Sequence, residues 1–410
     1  MPSLANPGYQ ERNTKGIFAL FCVGSYLLSV SYGTTFLLAM SLSAHGASEA
    51  DAGSIMSAAM FSTFIAVIFS GHLTDLFGAP KTIAFGAVLL AAACAGFACF
   101  PTFGLSALGF GLLLGLGWGV FYTLGPIIVA MMIEPARRVK YFALLSGCMM
   151  SGIGTGPLLG RASEAFGYPL QAAFVMAAMA SVIGGVAFVL LGPKIKQRHL
   201  ISGAVTVCRI SPQAGALVMR SKAAFAIVMV GLGGAIFGGL SSFQTSYAHL
   251  KQLDYSIFFL GFMAAVITCR LLVAGFIVKR DPYRMAGILT SLIVTSVLMF
   301  MFTVETTATY LFAAIVLGVG YGLTYSVING LAANEAPAGY TAQSLVLFSL
   351  AYFVGVFGFP WLAGLIIVSQ GMGALLSVIL LIALCNWAIA LGRLVWRRLP
   401  RSQARRFDPV

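Results

Sequence analysis

Twelve long apolar runs govern what this chain can fold into: 17–40, 52–71, 82–100, 105–133, 141–163, 169–193, 223–246, 255–278, 285–304, 308–332, 342–369 and 371–395. Each is long enough to cross roughly 30 Å of hydrocarbon as an α-helix. None shows the ten-residue alternation of a transmembrane β-strand, so helices are expected rather than a barrel. Composition agrees, since 60% of the residues are hydrophobic and 9% charged, against about half and a quarter in soluble domains. An all-α membrane protein of twelve transmembrane helices follows. The first run has no small-residue cleavage site and is long enough to span, so it reads as a helix that stays rather than as a removed signal peptide.

A formal net charge of +13 could suggest nucleic acid, but the basic residues sort by loop, which is the mark of membrane topology. If the N-terminus is cytoplasmic, 21 of the 24 Lys and Arg fall on inner segments. Of the rest, Lys251 lies in an outer loop, Arg161 near an outer helix end and Arg270 inside a span. Both termini and the 194–222 interval are therefore expected in the cytoplasm of a multi-pass cell-membrane protein, taken here as a bacterial inner-membrane one. No nucleic-acid partner is expected. The seven cysteines lie mostly within helices and do not cluster like ligands, so neither a metal site nor a disulfide framework is implied. No Gly-x-x-x-x-Gly-Lys-Ser/Thr run occurs, which argues against direct nucleotide use, and no cofactor is expected.

The longest polar interval, 194–222, falls between spans six and seven and divides the chain into halves that resemble each other at an offset near 203. "GLGWGVFY" at 115–122 answers "GVGYGLTY" at 318–325: Gly115, Gly117, Gly119 and Tyr122 match Gly318, Gly320, Gly322 and Tyr325. Parallel repeats of this kind are expected to hold a solute near the bilayer midplane and to work by rocking of one half on the other. The expected organisation is a six-helix bundle at 1–193, a cytoplasmic linker at 194–222, a second six-helix bundle at 223–395 and a basic tail at 396–410.

The loop after span two reads Gly71-His72-Leu73-Thr74-Asp75-Leu76-Phe77-Gly78-Ala79-Pro80-Lys81. With its Gly71, Asp75, Gly78 and Lys81 it resembles the loop motif of the major facilitator superfamily, although Leu76 and Ala79 stand where that family usually has arginine. Gly71 permits close helix approach. Asp75 is placed to accept hydrogen bonds from a helix N-terminus and to pair with Arg137 or Arg138, latching the cytoplasmic side. Span five carries Gly152, Gly156, Pro157 and Gly160, similar to the Gly-Pro element of the family's exporters and exchangers. Small residues four apart let backbones approach, and Pro157 bends the helix. The resemblance implies two pseudo-symmetric bundles and a rocker-switch carrier. Gly111 stands where such exporters often carry arginine, and no Asp or Glu lies deep in any span, so a carboxylate proton relay is not visible.

Arg270 is the thirteenth residue of the apolar stretch Phe258–Val278. Burying a guanidinium there costs at least ~2.5–3.5 kcal/mol, so it should face a partner or a wet cavity. Two roles suit it: a bidentate clamp for an anionic group on the solute, or a brace bonded to helix carbonyls. The family resemblance implies that spans one, four, seven and ten line the cavity. There the sequence supplies Tyr32, Tyr122, Gln244, Tyr325 and Asn329, a largely aromatic wall with few polar groups that suits a small amphipathic or hydroxylated solute.

Together these features imply a monomeric secondary transporter of a small organic solute, expected to be an exporter or antiporter, with a proton or counter-solute as coupling partner. Uptake of an organic anion is the alternative within the class, and a membrane sensor a more distant one. Catalysis is not expected, because the spans hold no paired acids and no His-plus-acid cluster. Cysteines introduced at Lys196 and Ser402 should react with an impermeant thiol reagent only after the cells are opened. Labelling in intact cells would reverse the topology.

Overall fold

The computed structural model describes residues 7–47, 49–202, 208–277 and 280–398, which are largely helical and contain no strand. The long apolar helices are α1 Gly16–Leu37, α2 Asp51–Phe77, α3 Ala79–Cys99, α4 Leu105–Met132, α5 Pro135–Ala165 and α6 Gln171–Ile195. They continue with α7 Ala223–Ser242, α8 Ser256–Val273, α9 Pro282–Phe302, α10 Thr307–Asn334 and a last stretch of 57 residues, Thr341–Arg397. At 1.5 Å per residue that stretch would run roughly 85 Å, more than twice the hydrocarbon thickness. It breaks at Gly371, whose φ of 84° is open to glycine and rarely to other residues. Divided there it gives α11 (341–370) and α12 (372–397), so among the described residues each of the twelve expected runs has a helical counterpart, with ends moved by a few residues. Most of the basic tail and the centre of the 194–222 interval lie outside the described residues.

Local chemistry sets the helix ends. Gly78, with φ of 84°, closes α2, and Pro80 sits in the first turn of α3, where its missing N–H costs nothing. The Asp281 carboxylate accepts from the Tyr283 N–H at 2.9 Å to start α9. Thr306 and Thr309 cap each other's backbone N–H at the start of α10.

The chain forms two compact units. One comprises Met1–Glu134, Leu144–Gly215 and Ala338–Val346, and the other Pro135–Ala143, Ala216–Pro337 and Leu347–Val410. α4 is the most enclosed span of the first and α10 that of the second, with 83% and 72% of their apolar windows buried.

Glycine explains that enclosure. A Cβ added at Gly115, Gly117 or Gly119 of α4 would fall on Ala59, Gly86 or Thr63. One added at Gly318, Gly320 or Gly322 of α10 would fall on Phe262, Leu289 or Val266. The partners repeat at the same offset as the glycines: 59 and 262, 86 and 289, 63 and 266 each differ by 203. The internal repeat of the sequence is therefore a repeat of helix contacts within each unit. On α5, Gly152 packs on the Tyr26 carbonyl and Gly156 on the Gly33 backbone of α1. In the second unit, Gly234 and Gly238 of α7 meet Tyr352 and Val356 beside a π-helical turn at Val354–Gly358 of α11.

These contacts yield a contrast. Gly156→Leu should destabilise by at least about 1–3 kcal/mol through overpacking, lowering the thermal midpoint of the purified protein. Gly109→Ala, with nothing within 4 Å of the new methyl, should be neutral or raise it by up to about 1 kcal/mol of helix propensity. Equal midpoints would discard the packing account.

Candidate functional site

The approach of α8 to α10 creates the least expected feature of the second unit. Arg270 lies one turn beyond Val266, in a π-helical turn at Cys269–Val273, and is 1% exposed. Such turns re-aim side chains and often occur at functional positions. With glycine at 318 and 322, the α10 backbone is near enough for Arg270 Nε to donate to the Gly322 carbonyl at 2.9 Å. The guanidinium carbon sits 5.2 Å from the centre of the Tyr325 ring. Nη1 is buried and makes no hydrogen bond. Among the described residues no carboxylate pairs with Arg270.

A charged hydrogen bond of about 1.5–3 kcal/mol and a desolvated cation–π contact of about 2 kcal/mol are together of the same order as the burial cost. The brace contact is present, since Nε joins α8 to α10, while Nη1 is left as an unbonded donor. Asn329 Oδ1 and Ser326 Oγ, two turns and one turn past Gly322 on the same face, are also buried without a hydrogen bond. Ser326 was not singled out from sequence, because one serine in a helix most often bonds its own backbone.

Gln244 is placed elsewhere. Its Oε1 accepts from the Tyr310 hydroxyl at 2.7 Å, and Tyr310 precedes Tyr325 by 15 residues on α10, roughly 22 Å along the axis. Gln244 and Arg270 therefore do not share one local cluster. In the first unit, Tyr32 stacks on Trp118 with ring centres 4.4 Å apart and 18° between planes. Trp118 also flanks Tyr122 at 5.8 Å, so Tyr32 and Tyr122 form one aromatic wall through a residue that sequence reading passed over. Gly111 packs against α2: a Cβ there would lie 2.7 Å from the Ile55 carbonyl, which excludes a long side chain.

The loop motif holds the linker backbone. Asp75 accepts from the backbone N–H groups of Cys208 and Arg209 at 2.6 and 3.0 Å. These belong to the linker, just ahead of the short helix Pro212–Met219. Gly71 is where this linker backbone touches α2. Gln343 Nε2 donates to the Arg209 carbonyl at 3.4 Å from the other side. Burial, and secondarily the Asp75 charge, push the Cys208 thiol up to about 12. Arg138 Nη1 donates to Asn334 Oδ1 at 2.8 Å, and Asn334 Nδ2 donates to the Pro135 carbonyl at 2.9 Å. Lys81 and Arg137 are exposed. At the end of α10, Glu335 pairs with Arg393 at 2.6 Å and accepts from the Tyr283 hydroxyl. Its three members are distant in sequence, and nothing in their spacing announces them.

A many-spanning helical membrane protein built from a parallel repeat, with charge held at helix ends and a partly satisfied guanidinium inside, has the construction of a membrane carrier. The chain belongs to the major facilitator superfamily, whose sequence model matches residues 18–360. Members of that family are transporters rather than enzymes. Among solved structures, the human organic anion transporter MFSD10 (TETRAN) aligns with a TM-score of 0.77 at 15% identity, covering 92% of this chain and 99% of that one. The E. coli fucose:proton symporter FucP aligns at 0.71 and 15% identity, covering 92% and 98%. The proton:xylose symporter XylE, bound to 6-bromo-6-deoxy-D-glucose, aligns at 0.68 and 14%, covering 94% and 96%. At these identities the likeness is one of fold. No curated protein sequence matches the chain.

Removing the linker's acceptor provides a test. Asp75→Ala should leave the protein folded but release the Cys208 segment, raising the alkylation rate of Cys208 by at least roughly 10-fold, the equivalent of losing one charge-assisted hydrogen bond. Trypsin cleavage after the exposed Arg209 should quicken in parallel. Unchanged rates would make Asp75 a bystander to the linker.

Proposed function

We propose that this protein is a secondary active transporter that moves a small organic anion across the cytoplasmic membrane by rocker-switch alternating access, in export or exchange. The observation that carries the reading is Arg270: a buried guanidinium with Nη1 unbonded and no described acid to neutralise it. In a low-dielectric interior such a group favours a ligand that brings negative charge and two acceptor oxygens. Asn329 and Ser326 offer further hydrogen bonds beside it, and Tyr325 holds the guanidinium plane. The organic anion handled by the human fold relative is of the class that this chemistry suits.

The rest of the scheme follows from family construction. The 1–193 and 223–395 bundles move about the solute, with Tyr32 and Tyr122 as aromatic wall. The Gly156-Pro157 element is the close-packed seam between α5 and α1. Gly71 and Asp75 tether the cytoplasmic linker, Gly78 and Lys81 complete the turn beside it, and Arg138 secures the start of α5 with Arg137 exposed next to it. Both termini are cytoplasmic, and the working unit is a monomer.

The test is affinity and thermal midpoint measured on the same purified variants against a panel of monocarboxylates, dicarboxylates and organic phosphates. Arg270→Lys keeps the charge but loses the fork, and should weaken binding of the stabilising anion by about 10- to 100-fold in a protein that still folds. Arg270→Gln should lose more. Lower midpoints with unchanged affinity per folded molecule would leave Arg270 as a brace alone.

A further inference from the structure

Behind the Tyr325 ring lies a second polar feature, inside the second unit. A small cavity, lined on one side by apolar residues such as Met229, Ile293 and Ile328, presents on the other Thr324, Tyr321 and Tyr325 of α10, Tyr352 of α11 and Asn386 of α12. Asn386 is 1% exposed, and neither its Oδ1 nor its Nδ2 makes a hydrogen bond. Thr324 Oγ1, 3% exposed, is likewise unbonded, although a helical threonine would ordinarily bond its own preceding turn. The Tyr321 hydroxyl donates to that of Tyr352 at 3.3 Å. Buried amides and hydroxyls are seldom left without partners, so two such side chains aimed into one cavity point to a ligand.

Charge decides which ligand. The cavity holds no carboxylate, and Tyr325, which forms its wall, carries the Arg270 guanidinium on its ring. A cation would enter the field of that arginine with neutral oxygens alone to hold it. A monatomic anion would meet an amide N–H, hydroxyl O–H groups and a positive charge one ring away. We propose that the Asn386–Thr324 cavity is a binding site for a chloride-sized anion, which compensates Arg270 while the organic solute is absent. The proposal rests on the reading that Arg270 answers to anions. It makes chloride a counter-ion of the transport cycle, because one guanidinium serves two anions in turn.

The two readings separate through Arg270→Lys, which loses the fork but keeps the field. The experiment follows the thermal midpoint of the full-length purified protein as chloride or bromide replaces gluconate at fixed ionic strength and fixed sodium. Halide should raise the wild-type midpoint by several degrees. The rise should persist in Arg270→Lys, shrink in Arg270→Gln, and vanish in both Asn386→Leu and Thr324→Val. Two variants guard against one that fails to fold. No halide effect in the wild type would assign the cavity to water alone. A response to replacing sodium by choline at constant chloride would make it a cation site. A halide effect that survives both cavity variants would place the anion elsewhere. Each of these results overturns the proposal, and none touches the separate question of whether Arg270→Lys weakens organic-anion binding.

Discussion

Helices surrounded by lipid tails gain no hydrophobic driving force from pairing with one another, so their association depends on how closely backbones can approach. Here that approach is supplied by glycine at the contact points, and the functional features inherit it. α10 carries Gly318, Gly320 and Gly322 where α8 and α9 press against it. With side chains there, α8 would stand off, and the Arg270 Nε bond to the Gly322 carbonyl at 2.9 Å could not form. The same spacing on α4 draws in α2 and α3, and Trp118, set among those glycines, then meets Tyr32.

Electrostatics divides the molecule along the membrane normal. Near the span ends, charges are paired or capped: Glu335 with Arg393 and Tyr283, Asp281 with Arg397, Asp75 with two linker amides. Exposed pairs of this kind contribute little to stability, the Asp281–Arg397 pair being such a case. The Glu335–Arg393 pair is more enclosed, and Phe225 lies 4.7 Å beneath its guanidinium. Arg270 differs in having a carbonyl and an aromatic face but no counter-charge among the described residues.

Much of the fold was legible because a bilayer enforces it. Backbone groups cannot go unbonded in hydrocarbon, so apolar runs of twenty residues become helices whatever surrounds them. The glycine pattern at 115–119 and 318–322 announced the repeat, and the structure shows those same glycines making equivalent contacts. Arg270 was legible for a similar reason, a charge being conspicuous in an apolar run. Gln244 was conspicuous too, yet it is held by Tyr310 at the far end of α10 from Arg270. An amide in a span signals that a partner is needed, not which partner it finds.

What the sequence determined by itself was therefore local and compositional: helical spans, the repeat, and the presence of an arginine, Arg270, within an apolar run. Partners separated by dozens or hundreds of residues were decided only in three dimensions. Asp75 holds the amides of Cys208 and Arg209, 133 and 134 residues away. Glu335 holds Arg393, 58 residues away. Asn386 shares a cavity with Thr324. The physical reason is that hydrogen-bond geometry depends on ångström-scale placement of helices, which periodicity and composition do not encode, whereas the cost of exposing a backbone to lipid is the same at every position along a span.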